Sequence, residues 1–327
     1  MTNVAAESAA VQPARWRRIL PSNLGDLVLP VFIVVYAVIV GIIEPRFLSW
    51  DNIDNLMSQL APLIVLSVGQ AFTIIAAGMD LSMAAVMSVS GIVGILAVKV
   101  VGVWGGVVVM AIVGAGIGTF TGFLIAYQRT SPFIVTLGMA SVATAIALIL
   151  AHGVPIYDIP PELSTAVGFG HFLGLPVTFE ISVGLLLLGA FLLTKTVFGR
   201  YVYAIGSNTS AAIRSGVPVP LYTLLVYAFA GFSSGIAGII LTAWVNAAQP
   251  VAEPDMTLKS IAAVVLGGIA LTGGSGGMIH VLYGCLILGA LSNSMTMIGV
   301  SSYYQILAVG IVIIIAVMLD RVRRRRL

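Results

Sequence analysis

Charge is the scarcest thing in this chain: 8% of its 327 residues are Asp, Glu, Lys or Arg, where soluble domains carry about 25%. A water-soluble protein so short of polar material could not cover its own surface, so lipid must be the solvent for much of the chain. Cysteine is nearly absent as well. The single one, Cys285, excludes an internal disulfide framework, and in the apolar run Gly284–Leu291 it reads as a small packed residue. There are three lysines, Lys99, Lys195 and Lys259, and none follows a glycine. A G-x-x-x-x-G-K-S/T loop is therefore missing, and the chain cannot bind and hydrolyse ATP by a P-loop of its own. His152, His171 and His280 are scattered, with no H-E-x-x-H and no metal-ligand spacing, which leaves no metal site and argues against a metalloenzyme. Gly231-Phe232-Ser233-Ser234-Gly235 matches G-x-S-x-G, yet it lies inside an apolar helix and not on a strand-to-helix turn. The hydrolase reading fails with it.

What is present is apolar: 59% of residues are hydrophobic, 36 are glycine, and the mean hydropathy is +1.11. A bilayer core takes about 20 apolar residues per helix, and glycine is commoner in membrane helices than in soluble ones. Spans are expected at 27–43, 55–77, 82–100, 104–127, 132–151, 177–194, 221–245, 257–271, 278–298 and 303–319. The fold class is thus an all-α membrane protein with about ten transmembrane helices. The stretch 257–271 is short and breaks at Gly267-Gly268 and Gly273-Gly274, which suits a broken or re-entrant helix lining a cavity. Leu27–Ile43 is longer than a signal-peptide core and no A-x-A site follows it, so it reads as an uncleaved anchor. The organisation expected is a cytoplasmic N-terminal tail (1–26), one transmembrane domain (27–320) and a basic cytoplasmic tail (321–327).

Basic residues orient the chain. With the N-terminus inside and ten spans, the inner face holds Arg15, Arg17, Arg18, Arg129, Lys195, Arg200, Arg214 and Arg321, Arg323, Arg324, Arg325 and Arg326. The outer face keeps only Arg46, Lys99 and Lys259. Such a split puts both termini in the cytoplasm. Both basic clusters flank apolar segments and are not interleaved with aromatics, so they read as membrane anchors and not as a nucleic-acid surface.

Two connections are long. The outer one, 152–176, is rich in Pro and Gly; the inner one, 195–220, places a short helical stretch, Thr209–Ser215, between a Gly/Asn/Ser turn cluster and Gly216, with Pro218 as a stop. Spacing alone leaves that helix as either a docking element or an ordinary connector. Gly114, Gly118 and Gly122 recur at four-residue spacing, as do Gly231 and Gly235, a pattern for close helix packing. AAGMDLSMAAV from Ala76 and LGGIALTGGSG from Leu266 echo each other, as the internal repeats of transporters do.

Within the membrane zone Asp80 is the only ionisable residue, at the boundary of the second and third spans. An intramembrane carboxylate points to function; Asp80-Leu81-Ser82 is equally a helix start with a capping Asp. Without a chain of buried carboxylates or histidines, a proton-coupled mechanism has little to work with. The uncharged polar residues Gln70, Ser82, Thr136 and Asn293 complete the candidate translocation pathway. Their amides and hydroxyls could exchange hydrogen bonds with a hydroxylated solute, or simply bond helix to helix.

Six stretches together resemble one family: Leu66–Gly91, Ser131–Leu150, Gly199–Val217, Ala237–Pro250, Ile261–Gly277 and Gly299–Arg321. They are similar to the permeases of ribose-type sugar ABC importers, from about residue 28 to the tail. The resemblance implies a non-catalytic permease of the bacterial inner membrane that takes up a monosaccharide (a ribose-like pentose, a hexose or a polyol). It implies a homodimer or paired permease, a cytoplasmic ABC ATPase that binds the ATP and Mg, and a periplasmic sugar-binding protein. This chain itself would hold no cofactor. The family's coupling helix maps onto Gly206, Asn208, Ala211, Ala212, Arg214, Ser215 and Gly216, which turns the short inner helix into the docking element. Ser275 stands where relatives commonly show a basic residue, so no role is assigned to it. The rival readings are a nucleoside or branched-chain amino acid permease of the same machinery, and an ion-coupled secondary transporter.

Overall fold

The structure is a computed structural model that describes residues 24–251 and 255–324. Arg15, Arg17, Arg18, Arg325 and Arg326, on which the expected tails rest, lie outside the described residues. The chain opens with α1 (Leu24–Ile43) and a short 3-10 turn, Pro45–Leu48. Then come α2 (Trp50–Ile75), α3 (Met83–Ala126) and α4 (Pro132–Leu150). The long connection that follows holds the helical turn α5 (Pro161–Leu163), a π-helical turn at Ser164–Gly168, and a hairpin of β1 (His171–Phe172) and β2 (Leu175–Pro176). After it run α6 (Val177–Lys195), α7 (Val197–Ser207), α8 (Thr209–Arg214), α9 (Val219–Val245), α10 (Met256–Gly267), α11 (Met278–Met297) and α12 (Ser302–Arg324). The fold is all-α apart from that hairpin among the described residues, and α2, α3, α4, α6, α9 and α11 are long and apolar enough to cross a membrane.

Two spans expected from sequence share one helical run. α3 is 44 residues long, but at Gly102 the backbone turns to φ 76° and ψ 173°. Glycine takes that left-handed φ without the Cβ clash of other residues. The two arms correspond to the expected spans 82–100 and 104–127. Similarly, α10 stops at Gly268, φ 108°, after 12 residues and about 18 Å. The short, glycine-broken element read at 257–271 is therefore a helix that ends four residues sooner.

α2 is the axis of the molecule. Of its most apolar 18-residue stretch 94% is buried, against 17% for α4, so α2 packs on protein while α4 shows most of its surface outward. The main core gathers on α2 from α6, α9, α10 and α11, with Phe72, Ile64, Leu66 and Ile240 fully covered. A second cluster joins both arms of α3 to α4, to Leu163 and Val167, and to α9. Between α3 and α9 the glycine stripes do what their spacing predicts. A Cβ on Gly114 would strike the Gly231 carbonyl and one on Gly118 the Tyr227 carbonyl, so backbones touch where side chains would hold them apart. The far end of α9 is tied to the long connection by the paired backbones of Ile156 and Ala248 and by Ser164 with Asn246.

Candidate functional site

The polar residues singled out on the helices divide into three kinds of site. Asp80 is 2% exposed, and its Oδ1 accepts from the Ser82 backbone N–H at 2.8 Å and from Ser82 Oγ at 2.6 Å. It thereby holds the turn that starts α3, while Ala84 N–H in the first turn donates to Thr257 Oγ1 on α10 at 3.0 Å. Helix N-termini leave their first N–H groups without partners, and here a neighbouring helix supplies an acceptor. Thr136 is fully buried on α4 and bonds its own helix at the Phe133 carbonyl. Asn293 exchanges two hydrogen bonds with Asn52 at 3.0 and 3.1 Å, joining α11 to α2.

Gln70 is different. It is completely buried in the middle of α2, and neither its Oε1 nor its Nε2 has a hydrogen-bond partner. A buried amide left unpaired costs about 1–3 kcal/mol, so its presence asks for a reason other than packing. The five residues Gln70, Asp80, Ser82, Thr136 and Asn293 do not form one cluster: α4 packs on α3, whereas Asn293 faces α2 from α11.

The segment from α7 to α8 makes the second part of the site. Asn208 accepts from Ala211 N–H at 2.9 Å and so caps α8, and Gly216, φ 79°, ends it. Ala212 is buried against the body of the protein, while Asn208, Arg214, Ser215 and Gly216 are exposed. Ile213 also stands outward at 59% exposure. The capped helix of six residues thus presents both an apolar and a cationic side chain on its outer face.

Gly206 faces the other way. A Cβ there would drive into the Ile75 carbonyl and crowd the Gly274 N–H. That N–H donates to the Ile75 carbonyl at 2.8 Å, so the last carbonyl of α2 is held by the loop after α10. A Cβ on Gly274 would meet Ser207, and one on Gly273 would meet Ala77. Tyr203 Oη on α7 donates to the Gly276 carbonyl at 2.6 Å. Burial pushes the Tyr203 phenol above its ordinary value. Tyr227 of α9 reaches the same place, donating to the Met79 carbonyl at 3.3 Å. Thus the two segments that echo each other in sequence, around Ala77 and around Gly273, are packed together and closed over by the end of α7 that leads into α8.

Sequence reasoning singled out Gly206 and assigned no part in this junction to Tyr203, Ser207, Gly273 or Ile213. The run Gly267-Gly268…Gly273-Gly274 was the available signal for the third, since paired glycines mark backbone that must approach backbone; nothing in the pattern marked Tyr203. Among the described residues no group of three His, Cys, Asp or Glu side chains gathers to hold a metal.

Comparison with known proteins bears on the same residues. The profile of the family described as branched-chain amino acid transport system / permease component matches residues 52–317. The ribose import permease protein RbsC of Bacillus subtilis is 41% identical over 299 residues, which is 90% of this chain and 91% of that one. The ribose import permease protein RbsC of Haemophilus influenzae is 34% identical over 88% of this chain and 90% of its own. The L-arabinose ABC transporter permease protein AraH of Azospirillum brasilense is 34% identical over 97% of this chain and 94% of its own. No solved structure matches the chain.

Proposed function

This chain belongs to the branched-chain amino acid transport system permease family, as a ribose-type ABC permease, and we propose that α8 and Gly206 couple its sugar import to ATP hydrolysis in a partner. It is the multi-pass inner-membrane permease subunit of a monosaccharide importer, and works with an ATPase and a substrate-binding protein. The sugar named for relatives, ribose or arabinose, is favoured here over a nucleoside or an amino acid. An ion-driven carrier finds little support, because the deeply buried carboxylate of Asp80 is engaged by Ser82.

The finer reading has ten spans: α1, α2, the two arms of α3, α4, α6, α9, α10, α11 and α12. α10 is too short for a hydrocarbon core of about 30 Å and is the broken span. The twelve-to-three split of basic residues supports cytoplasmic termini, which puts α7 and α8 on the ATPase side. Two copies pair, the ATPase binds ATP and Mg, and this chain supplies a weakly binding polar route with no catalytic step of its own. Asn208, Ala211, Ala212, Arg214, Ser215 and Gly216 form the docking element; Gln70 is the pathway residue the burial pattern favours, ahead of Asp80, Ser82, Thr136 and Asn293, whose side chains already have partners.

The observation that carries the coupling reading is the junction at Gly206, where the segment bearing α8 touches the last carbonyl of α2 and the loop of α10 at once. The test is ATPase activity in liposomes holding permease, ATPase and binding protein, with a panel of pentoses, hexoses and polyols. Stimulation by one loaded binding protein, lost in Arg214→Glu, is the expected result. Uptake that needs no ATP and follows an ion gradient would overturn the reading.

A further inference from the structure

A cavity of about 320 Å³ opens between α2, the start of α10, α11 and α12. Six polar side chains line it: Gln59, Asp255, Lys259, Ser292, Ser302 and Gln305. Gln59 stands 16 residues before Ile75, about 24 Å along α2, so the cavity is at the end of the bundle away from α7 and α8. It nevertheless lies within the helices: Gln59 is also about 14 Å along α2 from Trp50. Lys259 Nζ and Asp255 Oδ2 sit 3.1 Å apart one helical turn from each other, with a quarter and a third of their side chains open. Among the described residues Gln59, Ser292 and Ser302 have no side-chain hydrogen bond within the protein, while Gln305 Nε2 is anchored to Thr296 Oγ1 and the Val300 carbonyl.

Such a set is costly against hydrocarbon, where ionisable side chains face a water-filled space or a polar partner. It is also the set that a neutral polyol recognises best. A carboxylate only accepts, an ammonium only donates, and an amide or hydroxyl does both, so neighbouring ring hydroxyls each find a complement without a net charge to repel them. The remaining walls, Leu60, Leu63 and Ile306, are apolar and suit the C–H faces of a ring. Gly289 sets the width, since a Cβ there would collide with Leu60. The volume is at the lower limit of ligand pockets, roughly 300–1,000 Å³, which fits one sugar ring and not an oligosaccharide.

We propose that this cavity is where a released monosaccharide first dwells in the permease, on the side facing the binding protein. The assignment rests on the importer reading and adds to it a place and a set of contacts. Its residents hold the sugar weakly: none of the six is fully buried, Gln59 and Ser302 are exposed to water, and the ion pair closes on itself without a solute.

The sole native cysteine, Cys285, is fully buried, which leaves a quiet background for thiol labelling. Ser292→Cys and, as a second reporter, Gln305→Cys are each placed in proteoliposomes with the ATPase and binding protein. They are labelled with a membrane-impermeant, positively charged methanethiosulfonate. Loading the binding protein with the transported sugar should slow labelling at least about threefold, and a sugar that is not transported should leave the rate unchanged. Equal rates with both sugars at both positions, or no labelling at either, overturn the cavity assignment. Wild-type uptake driven by ATP is measured in the same preparation. If it is absent, the importer reading itself fails; if it is present while the cysteines go unprotected, only the cavity fails.

Discussion

The two ends of α10 are built on opposite principles. Where it begins, at Asp255 and Lys259, polar side chains surround an open space. Where it ends, the contacts are made by glycine backbone: Gly273 and Gly274 bring backbone against Ala77, Ile75 and Ser207. Protein interiors transmit small displacements when packing leaves no slack, and the glycine junction is packing without slack. The cavity, by contrast, tolerates exchange of its contents because its groups are satisfied by water as well as by a solute. A single helix of about 18 Å joins them. The contacts of α7 with the glycine loop, and of that loop with α10, thus run as one packed series from the start of α8 to the cavity.

The largest break in that comparison comes at the junction. Gly206→Val places a branched side chain against the Ile75 carbonyl, an obstacle of backbone that cannot rotate away. Overpacking costs about 1–3 kcal/mol, and here the upper end applies. Uptake in proteoliposomes should fall at least about tenfold, and the melting temperature should drop with it. Ser292→Ala, at the cavity, should leave the melting temperature unchanged within error. If both variants melt alike, the ends of α10 do not differ in rigidity as argued.

A second break is Asp80→Ala. It strips the buried Ser82 N–H and Oγ of their acceptor, at about 1–3 kcal/mol. Asp80→Asn retains an acceptor oxygen and should recover most of the loss in thermal unfolding. Recovery of stability without recovery of uptake would move Asp80 from a capping residue to a pathway residue.

Much of this contrast was legible in the sequence, and the rest was hidden for a physical reason. Glycine spacing at 114, 118 and 122 predicted contact with a partner helix because a missing Cβ has only a few uses in a membrane, and α9 proved to be that partner. The capped helix at Thr209 was readable from Asn208 and Gly216, local signals for a local structure. The meeting of Tyr203 with Gly276 spans 73 residues, and no periodicity reports on a pairing that distant. Likewise the sequence left Asn293 as either a pathway amide or a helix-to-helix bond, because its partner Asn52 stands 241 residues away.

That amide pair supplies a smaller test at the cavity end, next to Ser292. Asn293→Ala leaves the Asn52 amide its bond to the Phe47 carbonyl but removes the two it exchanges with Asn293, a loss of about 1–2 kcal/mol. Adding Asn52→Ala should cost less than its own single effect, because no orphaned amide remains. A double-mutant cycle on unfolding free energy reads the coupling directly. Strict additivity would mean that the reciprocal bonds contribute nothing and that Asn293 is available to a solute.

A small expected change in stability is also the one that bears most on the route between the two ends. Gln70 lies 11 residues below Gln59 and five above Ile75, about 16 and 8 Å along α2. Its amide is buried and unpaired, so Gln70→Leu removes a desolvation penalty at nearly constant volume and should leave stability unchanged or raised by about 1 kcal/mol. Packing alone would then give a permease at least as active as the original. A pathway role gives the reverse: a protein as stable as wild type whose sugar uptake falls several-fold, while Gln70→Glu, which keeps the acceptors, retains more of it. Measuring unfolding and uptake on the same preparation separates the two, because only a residue that meets the passing sugar moves the second without the first.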